Sequence, residues 1–202
     1  MIPSYWQDAL IYLTAQDTVL AKLIEAYPNE VLTNQGNAFA TLTRAVVGQQ
    51  ISIKAADAIW KRLEGQIEVF SPAYFLTIQE DLLRECGLSR PKISYLKAIA
   101  VAFENQLLTP DKWETMSDEE VIKQLLKIRG IGQWTAEMFL IFYLNRPDIL
   151  PLSDIGLLNA IKRHYDCQGK ENILDLAQVW QPYRTVATWY LWRSLDATVV
   201  QY

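Results

Sequence analysis

Apolar residues recur three and four positions apart along almost the whole chain, and no strand-like alternation persists. The pattern predicts an all-α fold. Helices are predicted near Tyr5 to Thr14, Thr18 to Tyr27 and Ala38 to Val47. Another is capped by Ser52 and runs through Leu63. Short helices are predicted at Pro72 to Leu76 and Glu80 to Arg84, and Pro91 suits the first turn of a longer one ending at Asn105. The C-terminal part predicts helices near Asp154 to Tyr165, Ile173 to Trp180 and Pro182 to Asp196.

The stretch from Leu125 to Asp154 reads as helix, glycine turn, helix, proline-bearing loop and a carboxylate at the start of another helix. Ser117 and Glu120 have the spacing of a capping box, and Met116 and Val121 that of a hydrophobic staple. Val121, Ile122, Leu125, Leu126 and Ile128 then give one apolar face. Arg129-Gly130-Ile131-Gly132 interrupts it, two glycines permitting positive φ and a sharp turn. The next helix, from about Gln133 to Leu144, is expected to begin with outward N–H groups, an anion site that suits a DNA phosphate. On its own the Gly-x-Gly pattern fits a plain αα-hairpin with a glycine C-cap equally well.

With 202 residues and 50% hydrophobic content the chain can bury a sizeable core. It has no apolar run of transmembrane length and no charged-then-apolar leader, so it reads as soluble and cytoplasmic, or nucleoid-associated if bacterial. Cys86 and Cys167 are too few and too separated for a disulfide framework or metal cluster. His164 is the single histidine, which argues against a His-based metal site or a Ser-His-Asp triad. The net charge of −4 runs against the usual basic balance of nucleic-acid binders, but phosphate contact depends on where charges and N–H groups lie. Seven tryptophans and ten tyrosines could line a base-stacking pocket, although most such rings belong to cores.

Two further stretches carry candidate chemistry. Gly48-Gln49-Gln50-Ile51 breaks the helix from Ala38, and reads either as a plain helix–helix corner or as a polar tip. Gly87-Leu88-Ser89-Arg90-Pro91-Lys92 opens a helix whose N-terminus, flanked by Arg90 and Lys92, could hold a phosphate or could simply be capped and solvated.

Taken together, Gly130, Gly132, Pro151 and Asp154 in this order and spacing resemble the helix-hairpin-helix DNA glycosylase superfamily. The segment around Gln49-Gln50, the Gly87-Leu88-Ser89…Lys92…Tyr95-Leu96-Lys97 match and Trp180-Gln181-Pro182-Tyr183-Arg184 are similar to its alkylation-repair branch, of AlkA and Mag type. The resemblance covers about residues 5 to 197. It implies two helical subdomains with the active-site cleft between them, one from about 38 to 150 holding wedge loop and hairpin, the other from 1 to 37 plus 151 to 202. By the same resemblance Gln50, with Gln49 beside it, is the wedge filling the space left by an extruded nucleotide. Arg129, Gly130, Gly132, Gln133, Thr135 and Lys92 would bind phosphates. The carbonyls of Leu126, Ile128 and Ile131 would hold a structural Na, K or Mg ion at the hairpin.

Asp154 is the expected catalytic residue. It also suits an N-cap, and the two roles agree, because a helix dipole favours an anion at its N-terminus. Cleaving an N-glycosidic bond develops an oxocarbenium-like sugar, which a carboxylate stabilises. An alkylated purine is already cationic, so one carboxylate suffices. The nucleotide must first leave the stack, and candidates for the receiving pocket are Trp134, Met138, Phe139, Ile155 and Tyr183. Trp134 stands where bifunctional relatives carry a Schiff-base lysine, so no lyase activity is expected. No iron–sulfur cluster or other catalytic cofactor is implied. The resemblance thus implies a monomeric, monofunctional glycosylase acting on double-stranded DNA that contains alkylated bases, 3-methyladenine and 7-methylguanine, without a membrane partner. Rival readings are a non-catalytic helix-hairpin-helix DNA-binding module and a glycosylase for deaminated or etheno purines.

Overall fold

The computed structural model describes residues 2–34 and 36–195, and no strand occurs among them. The chain forms two compact units. One comprises the described residues up to Asn34 and from Leu140 onward; the other lies between and ends at Phe139. The chain opens with α1 (Trp6–Gln16) and α2 (Thr18–Ala26). The second unit holds α3 (Ala38–Gly48), α4 (Ile53–Gln66), α5 (Pro72–Thr77), α6 (Glu80–Glu85), α7 (Arg90–Glu104), α8 (Pro110–Trp113) and α9 (Asp118–Leu125). Helix α10 (Gln133–Phe142) starts there and ends in the first unit, followed by α11 (Ile155–Tyr165), α12 (Lys170–Leu176), a 3-10 turn at Ala177–Trp180 and α13 (Arg184–Arg193).

In the first unit a buried carboxylate ties three elements together. Asp17 N-caps α2, its Oδ1 accepting Val19 N–H at 2.8 Å and Leu20 N–H at 3.0 Å. Its Oδ2 accepts the Tyr165 hydroxyl at 2.9 Å and Trp180 Nε1 at 2.8 Å. Four donors make a buried charge tolerable where one left unpaired would cost several kcal/mol. Arg193 pairs with Glu30 and lies over the Tyr27 ring at 4.2 Å. The predicted helix from Pro182 to Asp196 begins later, at Arg184, and Asp196 lies outside the described residues. The reason is local: Thr185 N–H bonds the Pro147 carbonyl at 3.0 Å, and Arg184 grips the Asp148 carboxylate with Nε and Nη2 at 2.7 and 2.8 Å. The 146–148 loop and the start of α13 therefore share donors and acceptors.

In the second unit α3 is buried almost all round, from Ala38 to Val47 with only Ala40 less covered. Phe39 meets Phe75 and Phe103 edge-on, and Phe103, Trp113 and Phe139 continue the aromatic chain at 6.1 and 4.9 Å. Offset and edge-on ring pairs of this kind add about 0.5–1.5 kcal/mol each beyond burial. Helix α8 escapes the periodicity argument because four residues span barely one turn. Pro110 starts it, and it delivers Trp113 fully buried into that aromatic chain. The capping box at α9 forms as the spacing predicts: Glu120 N–H bonds Ser117 Oγ at 3.2 Å, and Ser117 N–H bonds Glu120 Oε2 at 2.8 Å. Helix α10 stops at Phe142 rather than Leu144, with Asn145 at φ 52° and Arg146 N–H returning to the Leu140 carbonyl at 2.9 Å. No helix among the described residues is long and apolar enough to cross a membrane.

Candidate nucleic-acid interface and active site

The hairpin in the second unit is built around Gly130. Its φ is +93°, the left-handed region, and a Cβ there would stand 2.2 Å from Tyr95 Cγ. Both conformation and close approach demand glycine. Gly132 departs from the expectation that both glycines turn the chain: it is absent from the positive-φ residues, and a Cβ on it would meet no heavy atom within 4 Å. What Gly132 provides is open space at the start of α10, where its carbonyl accepts Ala136 N–H at 3.0 Å. Arg129 is exposed, with its guanidinium 5.9 Å from the Tyr95 ring centre. Gln133 is exposed and donates to Glu137 at 2.9 Å. Of the three carbonyls nominated for a cation, that of Ile128 accepts Ile131 N–H at 3.1 Å. The set consists of neutral oxygens at one turn, a donor type that fits a hard cation.

Three residues expected at the DNA have side chains engaged within the chain. Lys92 turns inward: its Nζ donates to the carbonyls of Val47 at 2.7 Å and Gln49 at 2.9 Å, capping the C-terminal end of α3, and burial lowers its pKa. A lysine there satisfies orphan carbonyls and the negative end of the helix dipole, so it does not face outward to a phosphate. Thr135 is 1% exposed, and its Oγ1 accepts the Gln49 amide at 2.8 Å. Gln49 itself is engaged, its Nε2 also donating to the Gly130 carbonyl at 3.0 Å, so it braces the loop instead of tipping it. Gln50 stands exposed at the corner between α3 and α4, at φ +57°, followed by exposed Ile51 and Ser52. The Ser89 cap on α7 is present, its Oγ accepting Lys92 N–H at 3.4 Å.

In the first unit Asp154 is the N-cap of α11. Its Oδ1 accepts Leu157 N–H at 2.7 Å and the Trp192 indole N–H at 2.7 Å. Trp192 is stacked on Phe142, ring centres 6.0 Å apart and planes within 9°. Gly156 makes room for this pair: a Cβ there would lie 3.1 Å from Asp154 Oδ1 and 3.3 Å from Trp192 Cδ1. Sequence reasoning missed both Trp192 and Gly156. The tryptophan lies 38 positions from the acid, beyond any local pattern.

The nominated pocket residues fall in different places. Ile155, next to the acid, is 73% exposed. Tyr183 is half-buried at the start of α13, stacked on Tyr5 at 6.2 Å and edge-on to Tyr12 at 5.5 Å. In the second-unit half of α10, Trp134 is half-buried, whereas Met138 and Phe139 are packed in the core at 1% and 0% exposure. A surface groove of about 440 Å³ between Ile122, Leu126 and Gln133, flanked by Lys123 and Lys127, includes none of the nominated pocket residues. Among the described residues no cluster of His, Cys, Asp and Glu could hold a metal ion, and both cysteines are free thiols.

Residues 43–182, spanning the loop, the hairpin and the acid, match the model of the HhH-GPD superfamily of base excision DNA repair proteins. The chain belongs to that superfamily. Among HhH-GPD proteins it is 37% identical over 185 residues to DNA-3-methyladenine glycosylase 1 of Schizosaccharomyces pombe, covering 87% of this chain and 80% of that one. The solved structure of the fission-yeast enzyme Mag1, in complex with abasic DNA, superposes with a TM-score of 0.83 at 33% identity over 96% of this chain and 100% of that one. A DNA-3-methyladenine glycosidase from Bacillus halodurans gives 0.75 at 35% identity, covering 92% and 88%. The HhH-GPD fold expected from the sequence is thus present, as is the expected likeness to AlkA- and Mag-type proteins.

Proposed function

We propose that this chain is a monofunctional DNA glycosylase that removes alkylated purines, 3-methyladenine foremost and 7-methylguanine as well, from double-stranded DNA, and that it acts as a monomer. The observation that carries the reading is Asp154, fixed at the head of α11 by two N–H donors on one oxygen. Immobilised in this way, a carboxylate can face a sugar without reorganising during the reaction, the condition under which electrostatic stabilisation is most effective.

In the proposed reaction the C1′–N bond of a flipped nucleotide breaks as positive charge spreads over the sugar ring, and Asp154 stabilises that charge. Water adds at C1′ and releases one proton to the solvent, while the cationic alkylated base departs neutral with the bond's electron pair. Trp134, at the position expected for an imine-forming amine, has none to offer, so the sugar stays attached and the strand uncut. Gln50 fills the vacated stack, and Arg129, the open ground at Gly132 and the N-terminus of α10 receive a phosphate. A hairpin cation, held by the carbonyls of Leu126, Ile128 and Ile131, would add positive charge against the same phosphate. Ile155 and Tyr183, both in the first unit, are the apolar surface and the ring we assign to the base.

The deciding experiment incubates the protein with methylated duplex DNA and measures both released bases and strand integrity. Free 3-methyladenine with intact strands is the expected result. Tight binding to abasic DNA without base release would move the assignment to a DNA-binding module, and release of etheno or deaminated purines alone to another lesion class.

A further inference from the structure

The exposed corner at Gln50 and the hairpin at Gly130 are joined by a chain of contacts in which every linking group is buried or half-buried. Gln49 Nε2 reaches across 81 positions to the Gly130 carbonyl at 3.0 Å and across 86 to Thr135 Oγ1 at 2.8 Å. Lys92 Nζ holds the carbonyls on the other side of the corner, Val47 at 2.7 Å and Gln49 at 2.9 Å. Three residues along α7, Tyr95 lies against Gly130 so closely that no Cβ fits there. Positions i and i+3 share one helical face, so α7 supports the corner and the hairpin together.

Gln50 needs such support. A non-glycine residue at φ +57° is held about 1 kcal/mol or more above its preferred backbone conformation. Left to itself the corner would relax and the exposed amide would move. With the carbonyl of Gln49 pinned by Lys92 and its side chain pinned to the hairpin, the residue immediately before Gln50 has neither end loose.

We infer that Gln49 and Lys92 are positioning residues that form a strap, fixing the exposed Gln50 tip at a set distance from the phosphate-gripping hairpin. The inference rests on the proposed role of Gln50 as the wedge. It gives both residues a purpose that neither a DNA contact nor simple core packing supplies: they convert grip on the backbone into insertion at a gap in the stack.

The test compares affinity for a duplex carrying a tetrahydrofuran abasic analogue with affinity for the intact duplex. Gln49→Met and Lys92→Met remove the donors with little change in volume. Each is expected to lower the abasic-to-intact ratio about tenfold, whereas Lys92→Arg, which keeps a cationic donor, retains most of it. A lesion-specific strap acts only through the tip, so in a Gln50→Ala background the same substitutions should cause no further fall. An undiminished ratio in Gln49→Met and Lys92→Met would overturn the strap, as would losses that add in full to that of Gln50→Ala, the mark of general loosening. If Gln50→Ala alone leaves the ratio unchanged, the wedge reading fails and the strap with it. That result is separable, because it appears before either strap residue is altered.

Discussion

The indole N–H of Trp192 and the main-chain N–H of Leu157 converge on one oxygen of Asp154, each at 2.7 Å. The same atom thus caps a helix and is held by a stacked ring. Asp154→Asn keeps an acceptor for Leu157 and ranks equally as an N-cap, so the melting temperature should change by less than about 2 °C. Base release should fall by at least about a thousandfold as transition-state stabilisation is lost. Single-turnover excision paired with thermal melting checks both halves.

Trp192→Phe preserves a ring against Phe142 but removes the donor to the carboxylate. A hydrogen bond to a charged group contributes about 1.5–3 kcal/mol, so excision should slow by roughly ten- to a hundredfold. Substrate affinity in the same single-turnover experiment should move far less. A rate equal to wild type would show that the indole does not position Asp154.

Gly156→Ala separates stability from activity. Alanine should favour α11 by up to about 1 kcal/mol. Its methyl would press on both Asp154 Oδ1 and Trp192 Cδ1, at 3.1 and 3.3 Å. The expected variant melts no lower than wild type yet excises more slowly, which calorimetry and a rate measurement can establish together.

The two hairpin glycines should respond in opposite ways. Gly130→Ala meets an unfavourable φ and the Tyr95 ring, a cost of roughly 2–4 kcal/mol from strain and overpacking. Gly132→Ala has open space and should fold normally. Under the proposed phosphate contact it should instead weaken DNA binding. Chemical denaturation of both variants, with duplex titration of the second, distinguishes these outcomes.

Stability should fall on both sides of neutrality for identifiable reasons. Burial, aided by the Arg163 charge, lowers the His164 pKa from its ordinary 6.5, so the unfolded chain takes up a proton first. Stability is present above about pH 6.5 and declines as acid passes through the lower folded value. At alkaline pH burial, helped by Glu30, pushes Tyr190 up to about 12, and Tyr5 and Tyr165 are raised too, the latter by burial and then by Asp17. The unfolded chain loses those protons near pH 10, and stability should drop from there upward. Melting temperatures across pH, with His164→Gln flattening the acid arm, test the assignment.

What could be read from the sequence was local. Ser117 with Glu120, Ser89 before Pro91 and Asp154 before its helix are caps written within four residues, and each forms. Gly130 was legible because a turn of this kind leaves few alternatives. The resemblance sets Gln49 beside Gln50 in one role, and nothing local in the sequence separates the two. Their difference depends on Gly130 and Thr135, more than eighty positions away. Lys92 reads as a surface cation because nothing nearby in sequence indicates that the end of α3 lies within its reach. Trp192 and α8 were hidden for similar reasons, one by distance along the chain and the other by brevity.

The inward turn of Lys92 also bears on how the protein would leave undamaged DNA. A lysine that neutralises a phosphate expels a condensed counterion, and each such contact steepens the salt dependence of binding by about one unit of slope. Lys92 gives its charge to two carbonyls of its own chain and expels none. With net charge −4 and this lysine withdrawn, fewer charge pairs would hold the proposed complex to intact sequence, and dissociation from it should be faster than with Lys92 on a phosphate. Residence time would then be set by whether the stack beneath Gln50 opens, so that the protein pauses where the helix is already weakened and passes quickly over the rest.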